Sequence, residues 1–233
     1  MNDNKILFIH IPKNAGNSIH RNLIDLNFNI VTFGHRRLLD IDEEIKKKYK
    51  ILAVIRNPYD RLVSYYSFYK TYNKRFIDLK KELQKKYKTR IHNIDKKILI
   101  DHLKNMESLE WSEKFIKKNP RLINKILNKL NGINEENFNF NISFKDWLFN
   151  NLNKILSQHK YLEDNYKVDY LLRFENIEGD YQKFLDNYGI KNKLPRKNIS
   201  NHKPYLEYYN DDIFNFVREF VKKDCEIYNY ELK

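Results

Sequence analysis

Two short stretches of this sequence carry residue types that bind anions. The first, FIHIPKNAGNS (residues 8–18), passes from an apolar run through a polar loop into a helical pattern. Backbone N–H groups at a helix N-terminus attract anions. Lys13 adds a mobile positive charge, Gly16 permits close backbone approach and Ser18 offers a hydroxyl. Taken alone, the stretch reads as a phosphate-holding loop, with a solvated lysine in an ordinary loop as the alternative. A Walker A loop requires G-x-x-x-x-G-K-[ST]. Here Lys13 precedes the loop's single glycine and Asn14 follows it, which counts against an ATPase.

The second stretch is LAVIRNPYDRLVSYYSFY (52–69). Arg56 closes an apolar run, and a guanidinium there can grip phosphate through two parallel hydrogen bonds. The competing reading pairs Arg56 with Asp60. Ser64 lies two turns into the helix that Asn57 caps and Pro58 begins. Two phosphate-directed elements side by side suggest a nucleotide with two separated phosphate groups.

Positioning these residues calls for a particular frame. Apolar runs at 5–11, 28–33, 51–55 and 168–174 read as strands. Helical patterns are expected over 36–48, from Asn57 onward, over 177–188 and after Asn210, with only helices between about 74 and 157. Strands alternating with helices argue for an α/β fold, a parallel sheet flanked by helices, in which ligands sit at the carboxyl ends of the strands. With no repeats and no Gly/Ser linker, residues 1–233 are expected to form one domain in which about 75–140 is a helical insert.

Composition narrows the classes. The 233 residues carry a formal net charge of +13 and are 15% aromatic, so the chain is globular and drawn to polyanions. Between Lys70 and Lys104 there are 12 Lys/Arg against four acids, which is either a solvated helical face or a binding surface. No recognisable nucleic-acid-binding motif accompanies it, so no specific nucleic-acid partner is expected. One cysteine, Cys225, excludes an internal disulfide framework. There is no paired-carboxylate or His cluster at ligand spacing, so no metal is expected. No transmembrane run or signal-peptide pattern is seen, and the expected location is cytoplasmic.

FIHIPKNAGNS resembles the 5′-phosphosulfate-binding loop of the carbohydrate sulfotransferases, whose usual form reads HIPKTAGTS. VIRNPYDRLVSYY looks like their 3′-phosphate-binding segment. The resemblance continues in order through Phe33-Gly34-His35, QHKYL (158–162), RFEN (173–176) and LPRKNISNHKPYLEYY (194–209), leaving about 75–140 without a clear counterpart. It implies a P-loop-like sulfotransferase fold and 3′-phosphoadenosine 5′-phosphosulfate as donor. By the same resemblance Lys13, Asn14, Ala15, Gly16, Asn17 and Ser18 hold the 5′-phosphosulfate, and Arg56 and Ser64 the 3′-phosphate. Arg196, Asn198 and Ser200 belong to a loop that closes over the nucleotide. Asn14 and Asn17 replace the family's usual threonines, which loses a hydroxyl contact at each and keeps open a protein that binds nucleotide without catalysis.

Sulfuryl transfer of this kind is an in-line attack by a hydroxyl on sulfur. It calls for a base at the hydroxyl and a cation at the leaving phosphate. His35 is the expected base and Lys13 the cation. The acceptor is expected to be a hydroxyl compound, a saccharide by the resemblance. A small-molecule kinase and a basic polyanion-binding protein are the alternatives from other classes.

Overall fold

The computed structural model describes residues 4–87, 99–100, 120–132, 139, 141–162, 167–194 and 202–233. They fall into two compact units, residues 1–67 with 143–233, and residues 68–142.

The first unit is built on four parallel strands: β1 (Lys5–Ile9), β2 (Asn29–Val31), β3 (Lys50–Ile55) and β4 (Tyr170–Arg173), ordered β2-β1-β3-β4. Successive strand residues face opposite sides of a sheet, and here both sides are apolar. Ile6, Phe8, Leu52, Val54 and Leu172 pack on one face against Ile19 and Leu23 of α1 (Gly16–Asp25) and Tyr181, Phe184 and Leu185 of α7 (Ile177–Asp186). Leu7, Ile9, Ile51, Ala53 and Ile55 face the other way, toward Leu38, Ile41, Tyr161, Leu162 and Tyr228. Each such fully buried aliphatic side chain stabilises the fold by roughly 1.5–3 kcal/mol. Tyr161 and Leu162 lie in α6 (His159–Leu162), Tyr228 ends α8 (Asp211–Tyr228), and α2 (Glu43–Lys48) and α5 (Phe144–Asn151) complete the unit. This is the α/β architecture expected from the sequence.

Differences from that expectation are local. β1 stops at Ile9, and the 36–48 pattern divides into a 3₁₀ turn (Leu38–Asp40) and α2. The break falls at Asp42, whose Oδ1 accepts from Glu44 N at 2.8 Å and so starts a new helix. The helix begun at Pro58, α3 (Pro58–Tyr87), runs past residue 74 without a break, since no glycine or proline falls between Pro58 and Tyr87 to stop it. Asn57 caps it as expected, Oδ1 accepting from Tyr59 N at 3.0 Å and Asp60 N at 3.2 Å. Asn210 likewise caps α8, accepting from Ile213 N at 3.0 Å.

In the second unit, Phe76, Ile77 and Leu83 are buried on α3, and Ile123, Ile126 and Leu130 form the apolar stripe of α4 (Pro120–Gly132). Among the described residues no helix is long and apolar enough to cross a membrane.

Strand order places the functional edge. From β1 the chain moves to β2 on one side, then returns past β1 to lay down β3 on the other. The carboxyl ends of β1 and β3 therefore flank a topological switch point, where α/β sheets open a ligand crevice.

Candidate active site

The loop that leaves β1 is held in an uncommon backbone shape. Lys13 and Ala15 both have positive φ, 73° and 58°, a conformation that costs a non-glycine residue about 1 kcal/mol or more. Two guanidinium groups stabilise it from below. Arg56 donates from Nη1 to Lys13 O at 2.9 Å, and Arg61 donates from Nε to Pro12 O at 3.1 Å. Ala15, the residue before α1, has no side chain able to cap it. The first-turn N–H groups of α1 thus point from a helix start with partial positive charge and no capping oxygen.

Lys13 follows from that geometry. Burial, reinforced by the Arg56 charge, brings its amine down to about 8. Two cations held this close at a helix N-terminus repel one another, and an anion relieves the repulsion. The donor set therefore fits a phosphate-bearing group.

Arg56 itself is 4% exposed. Nε donates to Asp60 Oδ2 at 2.8 Å, and Nη2 lies 2.8 Å from the same oxygen. The guanidinium carbon stands 3.9 Å from the Phe174 ring centroid, a cation–π contact, and Nη2 is 3.5 Å from His202 Nε2. Both sequence readings of Arg56 are thus compatible with one geometry: it pairs with Asp60 and also lies against the Lys13 loop. Burial lowers its pKa, against the opposing pull of Asp60 and Glu175. Ser64 is buried, two turns into α3.

Asn14 does not face outward. Its side chain is 1% exposed, and Nδ2 donates to Val54 O at 2.8 Å and to Gln158 Oε1 at 2.7 Å. Both amide protons are committed inside the protein, which leaves only the backbone N–H of Asn14 for a ligand. Asn17 is exposed, and Ser18 is buried with its N–H bonded to Ala15 O at 3.0 Å. Arg196, Asn198 and Ser200 lie outside the described residues.

His35 reaches this loop through His10. Gly34 turns the chain at φ 69°, and His35 Nδ1 lies 3.0 Å from His10 O. A carbonyl only accepts, so Nδ1 carries the proton and Nε2 is left as an acceptor. The two imidazoles meet edge to face with centroids 4.6 Å apart. His10 in turn covers Gly16 so closely that a Cβ there would stand 2.0 Å from His10 Cδ2. The glycine's role is to admit this ring. Burial, with smaller contributions from His35 and His20, holds His10 down to about 4.

Several contributors were not singled out from sequence. Gln158 and Asp224 are both 0% exposed and join the loop to the core, and Arg61 is 1% exposed. Arg61 also donates to Leu156 O at 2.9 Å and lies 5.2 Å from the Tyr65 ring centroid. Asp224 left a legible trace: it falls on the buried stripe of α8 with Val217, Val221, Cys225 and Tyr228. Among the described residues the hydrogen bonds of Glu175 go to Asn57 and Tyr230. It accepts from Asn57 N at 2.5 Å and from Tyr230 OH at 2.9 Å, joining β4 to the start of α3. Among the described residues no group of three or more His, Cys, Asp or Glu is placed to hold a metal ion.

A parallel sheet with a cationic loop and a buried arginine at its switch point defines an α/β protein whose loop has the donor chemistry of an anion site. The family comparison makes this specific: the model of the sulfotransferase family matches residues 1–231, and the chain belongs to that family. Its membership supports sulfuryl transfer as the general activity, and so a transferase acting on an acceptor substrate. No curated protein and no solved structure matches the chain.

Proposed function

We infer that this chain is a sulfotransferase that uses 3′-phosphoadenosine 5′-phosphosulfate and sulfates a hydroxyl, on a saccharide acceptor. The observation that carries the reading is the meeting of three groups on one loop. Lys13 belongs to it, Arg56 donates to its Lys13 carbonyl, and His35 leans on it through His10.

The donor, when bound, supplies an activated sulfuryl group on a phosphate leaving group. The α1 N-terminus and Lys13 would offer positive charge where such a phosphate, taking the electron pair of the broken S–O bond, gains negative charge. Asn14, Ala15, Gly16 and Asn17 contribute through backbone N–H groups, and Ser18, whose N–H is bonded to Ala15 O, through its hydroxyl. Arg56 and Ser64 are assigned to the 3′-phosphate, with Arg56 keeping Asp60 as its permanent counter-ion. His35, its Nδ1–H committed to His10 O, accepts the hydroxyl proton at Nε2. The acceptor class rests on the likeness of 8–18 and 52–69 to carbohydrate sulfotransferase segments.

Calorimetry with 3′-phosphoadenosine 5′-phosphate, against ATP and without added Mg²⁺, tests the donor site. Preferential binding of the 3′-phosphorylated nucleotide that fails in Lys13→Ala and Arg56→Ala is the expected result. Equal binding of ATP that requires Mg²⁺, or no binding, sinks the reading. A saccharide screen with labelled donor then tests the acceptor class.

A further inference from the structure

Gln158 touches both anion-directed elements at once. Its Oε1 accepts from Asn14 Nδ2 at 2.7 Å and from Arg56 N at 2.9 Å, while its Nε2 donates to Arg56 O at 2.7 Å. One amide thereby satisfies both backbone groups of Arg56, as a neighbouring strand would, and also catches the Lys13 loop. Gln158 is itself anchored. Its N–H donates to Asp224 Oδ2 at 2.8 Å, and Asp224 Oδ1 takes His159 N at 2.8 Å and lies 2.7 Å from His159 Nδ1. Asn14, Arg56, Gln158 and Asp224 are all at most 4% exposed. Polar groups this deeply buried hold their geometry because any loosening leaves a donor or acceptor without water or partner.

We propose that Gln158 is a positioning residue of the sulfotransferase site, fixing the Lys13 loop and Arg56 relative to each other, with Asp224 fixing Gln158. The proposal deepens the function proposed above and, as a statement about catalysis, rests on it. Asn14 gives the arrangement its direction. Its bond to Val54 O alone would tether the loop to β3; its second bond, to Gln158, places the loop and Arg56 in one frame. A threonine at 14 has one donor and can serve only one of these acceptors. In this chain Asn14 is therefore an added tie within the site. Two phosphate-directed elements held at a set separation before ligand arrives lose little freedom on binding, which favours both affinity and alignment.

The test compares wild type with Asn14→Ala, Asn14→Thr and Gln158→Met, each checked for cooperative thermal unfolding. One readout needs no nucleotide: acetylation of Lys13 by acetic anhydride across pH, followed by peptide mass spectrometry. The other is calorimetric affinity for 3′-phosphoadenosine 5′-phosphate. Wild-type Lys13 is expected to react with a midpoint near 8. In Asn14→Ala and Gln158→Met the midpoint rises toward the ordinary lysine value, leaving ~10-fold less neutral amine at pH 8. Nucleotide affinity falls by about 10–100-fold in the same variants, and Asn14→Thr is intermediate in both readouts. If Gln158→Met does not fold, Asn14→Ala carries the test, since it leaves the Gln158–Arg56 bonds in place. A wild-type midpoint at the ordinary lysine value, or an unmoved midpoint in folded variants, overturns the proposal whatever the nucleotide does. A moved midpoint with no nucleotide bound by wild type upholds the positioning of Lys13 and overturns the sulfotransferase reading instead.

Discussion

Asp60 meets Arg56 through a single oxygen, Oδ2, which lies 2.8 Å from both Nε and Nη2. The side chains are 5% and 19% exposed, Arg56 being the more buried. Removing one member of such a pair leaves the other charge buried without compensation, typically at about 3–5 kcal/mol. Asp60→Asn is therefore expected to lower the melting temperature substantially. Because a bound 3′-phosphate restores the missing negative charge, nucleotide is expected to raise the melting temperature more in Asp60→Asn than in wild type. Thermal melts with and without 3′-phosphoadenosine 5′-phosphate check this; a smaller nucleotide shift in the variant contradicts an Arg56 role at the phosphate.

Lys13 should behave in the opposite way. The unfolded lysine keeps its proton up to 10.5, the folded one only up to about 8. Between those values the unfolded chain binds more protons, so this residue makes stability rise with pH across that window. At neutral pH the charged amine weakens the fold. Lys13→Met is expected to stabilise the nucleotide-free protein by about 1–3 kcal/mol while abolishing nucleotide binding. Urea titration at pH 7 and at pH 10 measures it, and the gain should shrink at the higher pH. Loss of stability on substitution would show that Lys13 serves the fold first.

His10 sets the acid side. Folded, its imidazole stays neutral down to about 4; unfolded, it takes up a proton from 6.5. The unfolded state thus binds more protons between these values. The contribution is fully present above 6.5 and is lost as pH falls through about 4, up to roughly 3 kcal/mol in all. His20, also lowered by burial, adds in the same direction. His10→Phe keeps an aromatic ring over Gly16 and should flatten the stability profile between pH 6.5 and 4. An unchanged slope would assign the acid sensitivity to other groups.

The frame and the loops were legible because they rest on local chemistry. The four apolar runs marked the strands, Asn57-Pro58 and Asn210 marked two helix starts, and Lys13, Gly16 and Arg56 fall beside the strand ends that the pattern implied. What stayed hidden depends on contacts between distant segments. The amide of Asn14 looked like a ligand group, yet its partners Val54 and Gln158 lie 40 and 144 residues away. Gln158 opens the QHKYL likeness, but nothing in that short stretch shows which groups its amide joins. Arg61 carries no signal of its own in the sequence, and its guanidinium reaches the Pro12 and Leu156 carbonyls. Only Asp224, a carboxylate on an apolar stripe, signalled its burial in advance.

His35 separates binding from chemistry. It is exposed, its Nδ1 lies 3.0 Å from His10 O and its ring meets the His10 ring edge to face. His35→Ala should leave affinity for 3′-phosphoadenosine 5′-phosphate within a few fold, while the transfer rate drops by about 10²–10⁴. Single-turnover assays with labelled donor, run once an acceptor is known, measure the rate. Equal losses in binding and rate would reassign His35 to a structural part of the loop.

Gly16 tests how the base and the anion loop are joined. A methyl group at this position would stand 2.0 Å from His10 Cδ2 and 2.1 Å from Nε2, well inside contact distance. Gly16 has no positive-φ requirement, so Gly16→Ala acts through this clash alone. The ring must move, and with it goes the edge-to-face contact that seats His35. Gly16→Ala is expected to cost about 1–3 kcal/mol of stability and to slow transfer as well. His10→Ala removes the obstacle, so the His10→Ala/Gly16→Ala double variant should recover stability relative to the sum of the two single losses. Transfer should not recover with it, because the surface that seats His35 is gone. Thermal melts and single-turnover rates on the four proteins of this cycle supply both numbers. Recovery of stability and rate together would mean that the His10 ring only fills space beside Gly16 and has no part in holding His35.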